Sequence, residues 1–141
     1  MKFATTILLA TALGTANAAD PAPLSVTLEG VEARGGKLYV SVQTEEEFME
    51  NRGTAGDIVD GPDAGTHDFT FDLAPGTYAV SVWHDYNGNG QFDMSDAGMP
   101  IDGWAMSGTM PAGEPAFSDT AVVVPAEGKS ISLSMSYGGA R

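Results

Sequence analysis

The sequence predicts an all-β protein, an antiparallel β-sandwich of about seven strands, and three observations carry that expectation. Apolar residues recur at every second position in several short runs, which is the period of a half-buried strand. Glycine, proline and aspartate separate those runs, as turn residues do. The chain beyond residue 19, about 122 residues, has the size of one domain around one core. Short strands and frequent turns within that length make two packed sheets.

Residues 1–19 precede the domain and read as a secretory signal peptide. Lys2 supplies the positive start, Phe3 to Leu13 the apolar run, and Ala16-Asn17-Ala18 the small-x-small cleavage pattern. The run is shorter than the roughly 20 apolar residues that span a bilayer, and no second such run follows. No cysteine follows it either, so lipid anchoring through a cysteine is excluded. The expectation is an exported chain, periplasmic or secreted, with residues 20–141 forming one domain and no transmembrane segment.

Leu24, Val26 and Leu28 share one face of the first strand; Leu38, Val40 and Val42 share one face of the second. Thr44-Glu45-Glu46-Glu47 has the spacing of a capping box, with a helical turn expected through Phe48 and Met49. Gly53 to Gly65, rich in glycine and aspartate, reads as a long surface loop, its Asp57, Asp60 and Asp63 solvated rather than ligating. Phe69, Phe71 and Leu73 mark a strand; after Pro75-Gly76 another carries Tyr78, Val80 and Val82. Runs at 100–106 and 117–124 complete the set, and Ile131, Leu133, Met135 and Tyr137 alternate with serines in the last strand. That serine face would lie badly against lipid, and the strands are shorter than the roughly ten residues of an outer-membrane barrel.

Six basic and 19 acidic residues give a net charge of −13, or −14 (5 against 19) once Lys2 is lost with the leading segment. Such a surface repels nucleic acid and anionic lipid and attracts cations. With no cysteine, export is not used for disulfide stapling.

The cation expectation has a place in the chain. Residues 84–96 read HDYNGNGQFDMSD, close to the calcium-loop pattern D-x-[DN]-x-[DN]-G-x5-E. Asp85, Asn87 and Asn89 take the first, third and fifth places, and Gly90 the sixth, where the chain must turn sharply. Gln91 offers a backbone carbonyl at the seventh, Phe92 is expected to plug into the core, Asp93 takes the ninth, and Asp96 replaces the glutamate at the twelfth. The expected ligands are therefore Asp85, Asn87, Asn89, Gln91, Asp93 and Asp96. Three carboxylates and two amides suit Ca2+ better than magnesium, which keeps its waters in a small octahedron. Zinc lacks the cysteines or close histidine pair it prefers. The competing reading is an ion-free turn closed by its own asparagine and aspartate side chains.

The run Gly76 to Gly108, GTYAVSVWHDYNGNGQFDMSDAGMPIDGWAMSG, resembles the exported bacterial domain-of-unknown-function family 2141. The carriers are a G-x-Y-A-V strand, the His84-Asp85 step, the N-G-N-G-x-x-D loop, Gly98-Met99-Pro100, and an acidic-Gly-aromatic-x-x-Ser element at Asp102-Gly103-Trp104-Ala105-Met106-Ser107. Asp102 stands where the family more usually has glutamate. The resemblance implies a secreted or periplasmic sandwich, transthyretin- or immunoglobulin-like and similar to carboxypeptidase-regulatory domains. It implies no activity.

An enzyme would rest on His84-Asp85 with His67 and a serine such as Ser107, or on Asp85 and Asp93 as a glycosidase-like pair, acting on a glycan or peptide. No G-x-S-x-G elbow marks a serine, and His84 reads as a strand-end residue bonded to a neighbouring loop. A binding module would display Trp83 and Trp104 to a protein or glycan partner in the envelope. Trp83 is out of phase with Val80 and Val82, although large aromatic residues are mostly core. The sequence reading is a non-catalytic exported sandwich whose calcium loop braces the fold or its binding surface.

Overall fold

The computed structural model describes residues 20–138; the signal-peptide expectation for 1–19 lies outside them. Nine strands form two packed sheets among the described residues: β1 (Ala22–Val31), β2 (Lys37–Gln43), β3 (Ala55–Asp60), β4 (Gly65–Leu73), β5 (Gly76–Asp85), β6 (Gly103–Met106), β7 (Ala121–Val124), β8 (Lys129–Ser134) and β9 (Ser136–Tyr137). The smaller sheet has the order β4-β1-β8; the larger runs β3-β2-β5-β6-β9, with β7 also on β5. The fold is an all-β sandwich. Among the described residues no helix is long and apolar enough to cross a membrane.

The alternating apolar residues do what their period requires. Leu24, Val26 and Leu28 of β1, Leu38, Val40 and Val42 of β2, Phe69, Phe71 and Leu73 of β4, and Tyr78, Val80 and Val82 of β5 bury one shared core. Each such side chain gains about 1.5–3 kcal/mol on leaving water. The inward row of β5 ends on His84, which is 0% exposed.

Four expectations need correction. The loop expected over 53–65 contains β3, an edge strand paired antiparallel with β2. Its Gly56 and Asp57 hid it, because an edge strand needs little apolar surface and tolerates charge. The final run is not one strand: β8 pairs with β1 in parallel, and β9 pairs with β6 of the other sheet. The chain changes sheets at Met135, whose N–H donates to the Glu29 carbonyl at 2.9 Å. The strand expected over 117–124 begins as a helical turn, Phe117–Thr120. The helical turn after Thr44 spans Glu45–Glu47 and stops before Phe48. There the Glu47 carboxylate takes the Thr44 N–H at 3.0 Å.

β5 is bonded along both edges, and one edge is shared. β7 covers Gly76–Ala79 and β6 covers Ser81–His84, which leaves Val80 between two short partners. Ser107 closes that gap. Its N–H donates to the Val80 carbonyl at 2.9 Å, and its hydroxyl accepts the Val80 N–H at 2.9 Å and donates to the Thr120 carbonyl at 2.6 Å. Ser107→Ala leaves a buried donor and a buried acceptor unpaired, at roughly 1–3 kcal/mol per group. A lowered urea midpoint with an unchanged denaturant slope is the expected result, and a midpoint equal to the parent's would contradict this role.

Candidate functional site

Alternation along β5 sends His84 inward and Asp85 outward, and the two begin different networks. His84 Nε2 lies 2.8 Å from the Gly35 carbonyl and Nδ1 2.8 Å from the Tyr137 hydroxyl. The Tyr137 oxygen accepts the Glu32 N–H at 3.0 Å, so its own proton is directed to Nδ1. The Gly35 carbonyl can only accept, so Nε2 carries a proton and donates to it.

Tyr137 reaches His84 by crossing a glycine. Gly103 pairs with His84 on one side and with Tyr137 on the other, and a Cβ on Gly103 would come within 2.3 Å of the Tyr137 ring. The missing side chain is the space the ring occupies. Arg34, ion-paired with Glu32, lies 4.8 Å from the Tyr137 ring centre and 5.0 Å from that of Tyr86, close enough for cation–π attraction to both. Burial is the largest effect on the Tyr137 phenol and holds it above its ordinary value of 10.0; the Glu32 charge adds to the rise, while the Glu32 N–H and Arg34 oppose it.

Asp85, 2% exposed, opens the acidic loop. One carboxylate oxygen accepts the Asn89 N–H at 3.2 Å and the other the Gly90 N–H at 2.8 Å. Asn87 and Asn89 each accept a backbone N–H on their side-chain oxygens, at 3.2 and 2.9 Å. Their side-chain amides donate to Asp93, Asn87 at 2.6 Å and Asn89 at 2.8 and 2.9 Å to the two oxygens. Gly88 and Gly90 carry φ of 70° and 73°, the left-handed turns this wrapping needs. Gly36, at φ 65°, lies so close that a Cβ would meet the Asp85 carbonyl at 2.0 Å.

Of the six residues expected to hold an ion, the loop therefore joins four: Asp85, Asn87, Asn89 and Asp93. Gln91 enters only through its N–H, bonded to Asn89. Asp96 is exposed at the tip of a separate turn, closed by Ser95 N–H to the Met99 carbonyl and Gly98 N–H to the Ser95 carbonyl, both 2.8 Å. Among the described residues no three histidine, aspartate or glutamate side chains gather where a metal ion could sit; the loop gathers two carboxylates and two amides. Phe92, expected in the core, is 45% exposed and meets Trp83 edge-on.

Asp102 is the residue that sequence reasoning missed. It is fully buried; one oxygen accepts the Trp83 indole N–H at 2.8 Å and the Asp93 N–H at 3.2 Å, and the other has no protein partner. The departure from glutamate before Gly103 was the signal available. Asp102 fastens the loop to the outer aromatic row, where Trp83 pairs with Tyr39 and Trp104 on adjacent strands. Both tryptophans are half-buried on that outer face, so the alternation of Trp83 outweighs the usual burial of aromatic residues.

Of the groups considered for catalysis, Asp85 and Asp93 share the loop network, while the histidines and the serine occupy separate ones. His84 bonds Gly35 and Tyr137, Ser107 bonds Val80 and Thr120, and His67 bonds the Asp63 carbonyl at 2.8 Å.

Residues 26–132 match the family model described as an uncharacterized protein conserved in bacteria (DUF2141). The chain belongs to that family. No curated protein and no solved structure matches it.

Tyr137→Phe removes the hydroxyl that joins Glu32 to His84 and is expected to cost roughly 1–3 kcal/mol. Because the folded state raises the Tyr137 pKa, its contribution is complete below pH 10 and is lost as pH rises through the folded value. Denaturant melts from pH 8 to 11 should show an alkaline decline in the parent that is smaller in Tyr137→Phe; parallel curves would contradict the assignment. Gly103→Ala should lower the melting temperature by displacing the Tyr137 ring.

Proposed function

We propose that this family member is an exported, non-catalytic sandwich module of the cell envelope whose acidic loop binds calcium, bracing a surface that meets a protein or glycan partner. The observation that carries the reading is the junction of Asp85, Asn87, Asn89 and Asp93, residues set at alternating positions of a sharply turning loop. Ion binding would turn the Asn87 and Asn89 amides so that their oxygens face Asp93. The cation would then replace two amide groups as the positive partner of that carboxylate, and two carboxylates with two amide oxygens match the hard-oxygen preference of calcium. Asp96 would join only through movement of the 94–100 hairpin.

The signal-like segment, the acidic composition and the family resemblance support export. Two packed sheets and that same resemblance support a transthyretin-like or carboxypeptidase-regulatory type of sandwich. The non-catalytic reading draws on His84, whose two ring nitrogens are both engaged, and on Ser107, whose hydroxyl is spent on backbone.

Extracellular modules bind calcium at about 0.1–1 mM, so 1 mM calcium would add about 0.4–1.4 kcal/mol. For a domain of this size that raises the melting temperature by roughly 2–6 °C. The test compares melts in chelator, calcium and magnesium for the parent, Asp85→Ala and Asp93→Ala. A rise specific to calcium and lost in both variants is expected. Identical melts would leave an ion-free turn closed by its own side chains, and the calcium reading would fail.

A further inference from the structure

The outer face of the larger sheet carries a groove of about 860 Å³. Five of the seven methionines in the chain, Met49, Met94, Met99, Met106 and Met110, border it. Met1 lies outside the described residues, and Met135 packs against the core, so methionine is spent here rather than in the interior. Trp83, Trp104 and Phe92 add aromatic surface to the lining. Met94 is 49% and Met99 64% exposed, an unusual setting for large apolar side chains that touch one another's surroundings rather than scatter. Met49 is also the one non-glycine residue among those described with positive φ, at 62°, a backbone cost that persists where the surroundings impose it.

Charge selects among occupants. Among the described residues, Glu114 is the only charged one in the lining, and no lysine or arginine borders the groove. Asp93 and Asp96 flank Met94 along the chain, and the whole molecule stands at −13. A second copy brings the same charge and an anionic bilayer brings the same sign, so both are repelled. A cationic chain is attracted. Unbranched methionine side chains adapt to varied apolar partners, and an amphipathic segment lays its apolar face into such a groove.

We propose that this groove binds a cationic amphipathic peptide segment, whose apolar face packs on the methionines and tryptophans while its lysines or arginines meet the acidic surround. The proposal takes up the partner-binding half of the function above and does not depend on the ion. Phe92 and Met94 line the groove while Asp93, between them, faces Asn87 and Asn89.

The test titrates the purified protein, in chelator, with a tryptophan-free lysine–leucine amphipathic peptide and follows Trp83 and Trp104 fluorescence. Saturable binding in the range of about 1–100 μM is expected. It should weaken with added salt and fall about tenfold or more, some 1.4 kcal/mol, both in Met94→Ser/Met99→Ser and with a glutamine-for-lysine peptide. Both methionines are solvent-exposed, so the double variant should keep the parent's circular dichroism and melting temperature. No saturable change up to about 1 mM peptide, or equal binding of the neutral peptide, would overturn the proposal. So would self-association in sedimentation, or capture by zwitterionic vesicles, that the double variant abolishes: each assigns the groove to another occupant. A calcium-independent melt with intact peptide binding would remove only the ion reading.

Discussion

The pleat of β5 is the constraint on which this end of the molecule depends. Neighbouring residues of a strand face opposite sides, so His84 closes the core while Asp85, one residue on, opens the acidic loop. The same rule acts on the adjacent strand, where Gly103 faces inward beneath Tyr137 and Trp104 faces the groove. Two unrelated tasks, sealing an interior and presenting a surface, are thereby assigned to consecutive residues. Changing the register by one residue would exchange them, which is why the pairing must be tightly specified.

Three of the four fixed positions of the acidic-Gly-aromatic-x-x-Ser element hold the strand that this constraint governs. Asp102 joins the Trp83 indole to the Asp93 backbone. Gly103 makes room for the Tyr137 ring. Ser107 repairs the ladder where β6 and β7 leave Val80 uncovered. All three hold β5 and its loop in place.

Much of the fold was legible because it is periodic: the inward rows of β1, β2, β4 and β5 follow directly from alternation. What is not periodic was hidden. β3 carries too little apolar surface to announce itself, and the change of sheet at Met135 leaves the alternation of 131–137 unbroken. In the loop, Asp85, Asn87, Asn89 and Asp93 were legible because their partners lie within eight residues of chain. Asp102 was not, since its contacts reach 9 and 19 residues back. Neither was the bond of Tyr137 to His84, 53 residues apart. Phe92 was misplaced by a calcium-loop pattern whose second half this strand-flanked loop does not follow; Asp96 sits instead in the turn closed by the Met94–Pro100 bridge.

In the proposed calcium loop, the Asn87 and Asn89 amides occupy the position a cation would take beside Asp93. That exchange is observable atom by atom in a two-dimensional NMR titration with calcium, carried to about 10 mM, tenfold above the upper end of the extracellular range. Saturable shifts are expected of the Asn87 and Asn89 side-chain amides together with the backbone amides of Asn89 and Gly90, which bond Asp85. Side-chain amides that stay fixed throughout the titration would contradict that exchange.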